Sequence, residues 1–383
     1  MCIRDRVKIP LLKSFSSRTI YLYYGNNFSE SASCLECVIT LWNLSIDFSY
    51  GNDYASSLAI DKEYLYIVGS DRIPGNDEWR IEKRLKNGSL VWSIGVNPTP
   101  SDDRAQLVAV DEDNIYICGS EGNGWKVEAR KKIDGTLLWN YSKKEENYFH
   151  PDSCADIDID SDYVYIAICP GCGWGGENWI IEKRFKNNGT LVWRVNFDPS
   201  EGAGGWRYIQ TINAKDKDFL YVGGSNYGIK ACGTQDMCWR IEKRFKNNGS
   251  LVWTVHYNPS PYNDDNPFSI DLDDEFLYVV GTAQNGNWTW AIEKRLKNNG
   301  SLVLRDFWQK GSKYSWYGDW AFHVISYFDY IFVGGKDRSK GDSQWNLQKR
   351  SKGDFSIEWI WQFNPSSEEE EGLDKKSFAI DDC

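Results

Sequence analysis

Residues 79–92, WRIEKRLKNGSLVW, set one acid between two arginines in a short string, the raw material of a charged catalytic pair. Drawn as a strand, the string puts Trp79, Ile81, Lys83 and Leu85 on one face and Arg80, Glu82, Arg84 and Lys86 on the other. The acid recurs as Glu128, Glu182, Glu242 and Glu293, with Gln348 in the same place, and the base as Arg130, Arg184, Arg244, Arg295 and Arg350. One active site has no use for an acid repeated along the whole chain. The expectation is structural: Glu–Arg pairs between neighbouring units that fix register and packing, with modest net stability.

Cysteine is the second candidate chemistry. The chain has ten, and Cys169–Cys172 and Cys232–Cys238 fall in equivalent loops of neighbouring units. Two local disulfides, each worth about 2–4 kcal/mol by loop entropy, suit a secreted chain. A zinc site with four cysteine ligands needs the two loops to converge, and CPGCG does resemble a zinc-knuckle turn. Disulfides are the favoured reading. Cys118 alternates within a core strand and is expected as a buried thiol.

Other motifs are weaker. GCGWGG at 171–176 fits a dinucleotide fingerprint but lies between strands rather than opening a helix. DIDIDSD at 156–162 looks like a calcium loop, yet its counterparts elsewhere read as a strand running into an acidic turn, and it lacks the distal Glu. The acidic run at 368–371 reads as a solvated loop. Three histidines, His150, His256 and His323, are too scattered for a histidine metal site. Eight Asn-x-Ser/Thr sequons begin at Asn27, Asn43, Asn87, Asn140, Asn188, Asn248, Asn287 and Asn299; four are Asn-Gly turns that turn chemistry alone explains.

The elements that must position these residues follow from a repeat. The Trp opening the quoted string returns as Trp125, Trp179, Trp239, Trp290 and Trp345, at spacings of 46, 54, 60, 51 and 55 residues. Each unit carries an apolar-Asp strand (SLAID, LVAVD, DIDID, SIDLD), a strand like YLYIVGS, the WRIEKR strand, and an LVW strand after an Asn-Gly hairpin signal. Four short strands per unit without helical periodicity predict an all-β propeller of four-stranded antiparallel blades. Seven blades are expected, the last closed by strands from both chain ends; six blades, or a fragment of a longer array, are the alternatives. Residues 1–6, MCIRDR, resemble a translated transposase-type sequencing adapter, the scar of a metagenomic assembly; 7–383 is expected to be a single domain open to truncation at both ends, with the signal peptide expected to be lost with the true N-terminus.

The unit LYIVGS…WRIEKRLKNGSLVWS resembles the PQQ-like and SBBP-type propeller repeats of bacterial and archaeal proteins, over nearly all of residues 54–365. That resemblance implies the fold, shared with the WD40-like superfold though the WD signature is absent, and leaves open enzyme or scaffold. It would imply PQQ as cofactor in an oxidoreductase, but that family's adjacent-cysteine pair is missing.

Twelve of the 19 tryptophans keep register with the repeat, including Trp42, Trp92, Trp139, Trp193, Trp253 and Trp359 on fourth strands, and are expected between blades. Seven do not: Trp174, Trp206, Trp288, Trp308, Trp316, Trp320 and Trp361. Propeller geometry puts the uniform Asp and Asn-Gly turns on one face and the variable loops on the other, where function is expected. The candidate ligand-binding set there is Trp174, Trp206, Tyr227, Asp236, Trp288, Trp316, Tyr317 and Trp320: stacking plates beside hydrogen-bonding groups. The expected function is a non-catalytic, extracytoplasmic monomer binding a glycan or protein partner through that face. A PQQ-like oxidoreductase and a propeller-type glycan-acting enzyme with paired carboxylates in the central funnel are the alternatives. No cofactor is expected, zinc, calcium and PQQ being the alternatives. The net charge of −11 argues against nucleic acid, and no apolar run reaches the roughly 20 residues of a membrane span.

Overall fold

The structure, a computed structural model, describes residues 6–9, 19–24, 39–45, 54–72, 75–144, 153–171, 178–199, 207–228, 232–233, 236–258, 265–284, 288–309, 318–338, 344–363, 376 and 378–381. Near the start lie β1 (Arg6–Ile9), β2 (Thr19–Tyr24) and β3 (Ile39–Ser45). Six blades follow, each from contiguous chain. The first is β4 (Tyr54–Ile60), β5 (Tyr64–Arg72), β6 (Asp77–Leu85) and β7 (Leu90–Val96); the second is β8 (Asp103–Val110), β9 (Asn114–Glu121), β10 (Gly124–Lys131) and β11 (Leu137–Lys143). The third is β12 (Ser153–Ile159), β13 (Tyr163–Cys169), β14 (Trp179–Phe185) and β15 (Leu191–Phe197); the fourth is β16 (Tyr208–Asn213), β17 (Phe219–Tyr227), β18 (Met237–Phe245) and β19 (Leu251–Tyr257). The fifth is β20 (Asn266–Leu272), β21 (Phe276–Gln284), β22 (Trp288–Leu296) and β23 (Leu302–Trp308); the sixth is β24 (Trp320–Tyr327), β25 (Tyr330–Asp337), β26 (Gln344–Ser351) and β27 (Ile357–Phe363).

Every blade is a four-stranded antiparallel sheet with its strands in sequence order, so the fold is an all-β propeller. The ring is made of these six blades, the six-bladed alternative rather than the expected seven, and the chain ends pair in a further four-stranded sheet, ordered β28 (Ala379–Asp381), β1, β2, β3. Packing is described for the six contiguous blades, and β28 sits between the sixth and the first: Phe378 and Ile380 pack with Phe332, Trp345 and Leu347, and Leu58 N–H donates to Lys376 O. Among the described residues no helix is long and apolar enough to cross a membrane.

The repeated string builds the packing between blades. Trp79, Trp125, Trp179, Trp239, Trp290 and Trp345 are fully buried. Indole N–H groups reach carbonyls of the following blade, from Trp79 to Ser120 at 2.8 Å and from Trp239 to Thr282 at 3.0 Å. Fourth-strand rings do the same, Trp139 to Lys186 O at 2.7 Å and Trp193 to Lys246 O at 3.0 Å. Off-register Trp308 and Trp361 also belong to the core, packed on Trp290 and Trp345.

Two expectations need correction. The Glu–Arg pairs lie within one strand rather than between blades: Glu182 to Arg184 at 2.7 Å and Glu242 to Arg244 at 2.6 Å, with Gln348 and Arg350 repeating the contact at 2.7 Å. Alternation brings residues two apart onto one face, and each arginine then donates on to its own hairpin turn, Arg184 to Gly189 O at 2.8 Å. Cys118 is not a free thiol but is disulfide-bonded to Cys154 on the inner strand of the next blade, with Cα atoms 5.9 Å apart.

Candidate functional site: the central channel and its aromatic mouth

Inner strands β4, β8, β12, β16, β20 and β24, together with β28, surround a central cavity of about 330 Å³. Which side chains enter it depends on a β-bulge. Each inner strand shifts register once against its neighbour, between Ala55 and Ser57, Ala105 and Leu107, Cys154 and Asp156, Ile209 and Thr211, Pro267 and Ser269, and Ala321 and His323. The slot just after the bulge therefore holds Ser57, Leu107, Asp156, Thr211, Ser269 and His323 in successive blades.

Polar groups in this ring first stitch the blades. Val108 N–H donates to Ser57 Oγ at 3.3 Å, Ile212 N–H to Asp156 Oδ2 at 2.8 Å, and Val324 N–H to Ser269 Oγ at 3.3 Å. Asp158 Oδ2 accepts from Ala214 N–H at 2.7 Å, and Asp271 Oδ2 from Ser326 N–H at 2.8 Å. Two lysines complete the charge pattern. Lys376 pairs with Asp156 at 2.6 Å and also donates to Ile157 O; Lys215 pairs with Asp271 at 2.6 Å.

The wall is electrostatically uneven. Burial pushes the Asp158 carboxyl above the usual range, against the opposing pull of Lys376, the Ala214 and Ile159 N–H groups and Lys215. Burial also depresses His323, and the positive charges of Lys376 and Lys215 depress it further, down to about 3, so its imidazole is neutral at ordinary pH. Among the described residues its Nδ1 has no hydrogen-bond partner, and its ring lies 4.6 Å from that of Phe378. Burial works to lower Lys215, but Asp271 outweighs it and the ammonium is held above its ordinary value.

At the variable-loop end the channel has an aromatic lip. Phe268 and Phe322 are the bulged residues of β20 and β24, and both line the cavity. Trp320 opens β24 and stacks on Phe268 at 6.0 Å with 18° between planes; Trp288 opens β22, 5.6 Å from Trp320. Phe322 lies 5.6 Å from Trp320 and 5.0 Å from Phe268, and Lys336 Nζ sits 4.3 Å over the Trp320 ring. All four rings are half-buried, and among the described residues the Trp320 indole N–H has no partner.

The candidates read from the sequence therefore divide. Trp288 and Trp320 are brought together. Tyr227 ends β17 half-buried, in a different blade. Asp236 is buried and bonded to Asn258 Nδ2 at 3.2 Å, which makes it a loop brace. Trp174, Trp206, Trp316, Tyr317 and Cys172 lie outside the described residues. Cys232 and Cys238 form a disulfide with Cα atoms 5.5 Å apart, and Cys169 is also disulfide-bonded. Among the described residues no group of three or more His, Cys, Asp or Glu is placed to hold a metal ion. Sequence reasoning missed Phe268, Phe322 and the polar wall; an aromatic in two adjacent bulge slots was the available signal.

No protein-family model matches the chain, and no curated protein matches it either. Solved structures do, through the fold alone. A hypothetical selenium-binding protein from Sulfolobus tokodaii superposes with a TM-score of 0.63 at 12% identity, covering 98% of this chain and 93% of that one. A 6-phosphogluconolactonase-like protein from Bacteroides fragilis gives 0.59 at 14% identity, covering 99% and 98%. A quinohemoprotein alcohol dehydrogenase from Pseudomonas putida gives 0.50 at 11% identity, covering 93% of this chain and 67% of that one.

Proposed function

We propose that this propeller is a non-catalytic, extracytoplasmic binding scaffold that takes an amphipathic, polyhydroxylated ligand, a glycan end, at the channel mouth on its variable-loop face. The observation that carries the reading is the lip of Phe268, Trp288, Trp320 and Phe322 above a wall of carboxylate, amide and ammonium groups. Half-buried rings give sugar faces a stacking plate, and the polar wall gives hydroxyls their partners. Disulfides Cys118–Cys154 and Cys232–Cys238 support an oxidising compartment. A non-catalytic role is supported by Asp156 and Asp271, each occupied by a lysine and a backbone N–H. The same pairing suits PQQ poorly, because both channel lysines are already engaged by aspartates.

Replacing Trp288 and Trp320 together by Ala should lower affinity for glycans selected on an array by at least tenfold, with disulfides and far-UV spectrum unchanged. Undiminished binding by the folded variant rejects the reading. A glycan-acting enzyme is the second reading, favoured by one observation: Asp158, its carboxyl raised by burial, lines the channel beside Asp156. Turnover of a bound glycan that Asp158→Asn abolishes, with binding retained, would establish it.

A further inference from the structure

The outermost strand of each of the first five blades carries an anomaly that the ring does not use. Leu90–Val91, Leu137–Leu138, Leu191–Val192, Leu251–Val252 and Leu302–Val303 are exposed apolar pairs on β7, β11, β15, β19 and β23. These strands are sheet edges, so backbone and apolar side chains present themselves together, which is the pattern that invites edge-to-edge association.

A sequon lies beside each of these pairs. Asn87, Asn188, Asn248 and Asn299 sit three residues before the Leu, all exposed, each with its Oδ1 accepting the N–H of its own sequon Ser or Thr at 2.9–3.0 Å. The turn itself does not require Asn. Blade two makes it with Asp134, whose Oδ1 accepts from Thr136 N–H at 2.9 Å, and blade six with Asp354 and Ser356, also at 2.9 Å. In blade two, where the turn sequon is lost, another appears as Asn140-Tyr141-Ser142 on the same edge strand, and Asn140 is exposed. Blade six has no sequon on its edge strand, and there the apolar pair is gone too, replaced by Ile357–Glu358. Sequon and apolar pair therefore come and go together, which turn chemistry alone does not explain.

We infer that Asn87, Asn140, Asn188, Asn248 and Asn299 are N-glycosylation sites whose glycans shield the apolar outer edges, leaving the channel mouth uncovered. In the transfer, each Asn Nδ2 forms a bond to C1 of the terminal sugar of a lipid-diphosphate-linked oligosaccharide. The C1–O bond to the diphosphate breaks, the diphosphate leaves as an anion, and the amide proton passes to a base of the transferase. The inference rests on the extracytoplasmic placement proposed above but is independent of ligand binding at the lip.

The test expresses the full chain behind a secretion leader in a cell with this transferase and maps glycopeptides by mass spectrometry. Occupancy at three or more of the five sites is expected; two or fewer, in a protein whose disulfides have formed, overturns the assignment. A variant carrying Asn87→Asp, Asn188→Asp, Asn248→Asp, Asn299→Asp and Asn140→Gln keeps the turns, following blades two and six, and removes the sequons. It should lose the corresponding glycan mass, retain binding at the lip, and self-associate at concentrations where the glycosylated protein scatters light as a monomer. Equal monodispersity of the two forms overturns the shielding role.

Discussion

His323 is a channel group whose charge state bears on the stability of the fold. Its imidazole is held neutral because burial and the facing ammonium groups of Lys376 and Lys215 oppose protonation down to about 3. In the unfolded chain the same group takes its proton near 6.5. The unfolded state therefore binds more protons between those values, and stability falls as pH drops from about 6.5 towards 3, by at most ~1.4 kcal/mol per pH unit. His323→Gln should flatten denaturant-midpoint stability over that window; an unchanged slope would mean that His323 protonates freely. A second residue-scale feature is a compensated swap. Fourth strands place Trp139, Trp193 and Trp253 against Gly189, Gly249 and Gly300 of the next blade's turn, all at φ between 71 and 74°. At the fifth blade Leu304 takes the place of the ring, and the facing turn residue is Phe355, buried at φ 61° and packed in the same cluster as Leu304. Leu304→Trp alone should overpack this seam by about 1–3 kcal/mol. Adding Phe355→Gly should recover most of the loss in a double-mutant cycle.

At the scale of elements, the Asp turn between the first two strands acts as a latch. Asp160 accepts from Asp162 N–H and Tyr163 N–H, from Tyr165 OH at 2.8 Å, and from Lys246 of the next blade at 3.0 Å. Asp61 with Lys132, Asp111 with Lys186, Asp216 with Lys297 and Asp273 with Lys352 repeat it. Burial alone would raise these carboxyls, but lysine and N–H donors outweigh it and hold Asp61 down to about 2. A carboxyl depressed in the fold contributes stability that is present above its unfolded pKa near 3.9 and lost as pH falls through the folded value. Acid unfolding should therefore steepen below about pH 4, through five linked sites. Asp160→Asn should soften that limb in an acid titration, and Lys246→Met should cost about 1–3 kcal/mol at neutral pH. The latch residues were visible in the sequence as recurrent Asp, Tyr and Lys, but their pairing across blades was not, because a repeat gives the same spacing to partners within a blade and between blades. The Glu–Arg pairs show the converse error: recurrence suggested contacts between blades, while strand alternation places them within one.

For the whole molecule, blade identity was legible because hydrophobic alternation, Asn-Gly turns and buried Trp all repeat together. The channel was not. Its lining depends on one bulge per inner strand, and a bulge inverts which residues face inward without leaving a mark in composition. So Asp156 and Asp158 read as a strand running into an acidic turn, His323 as one of three scattered histidines, and Phe268 and Phe322 went unremarked. Strands from both chain ends pair in a further sheet, and residues of the β28 segment pack against the sixth blade. β28 supplies the remaining wall of the channel, places Phe378 between His323 and the sixth-blade core, and pairs with β1. Lys376, just before it, neutralises Asp156, and its carbonyl accepts from the first blade. Removing residues 376–383 deletes these contacts together and leaves β1 as an open edge. Phe378→Ala alone should cost about 3–5 kcal/mol, the usual loss for a buried Phe. The truncated chain should fall further, melt less cooperatively, and associate through its unpaired strand. If it instead keeps its melting temperature and stays monomeric, the ring is held by blade-to-blade packing alone and β28 is only an insert in the channel wall.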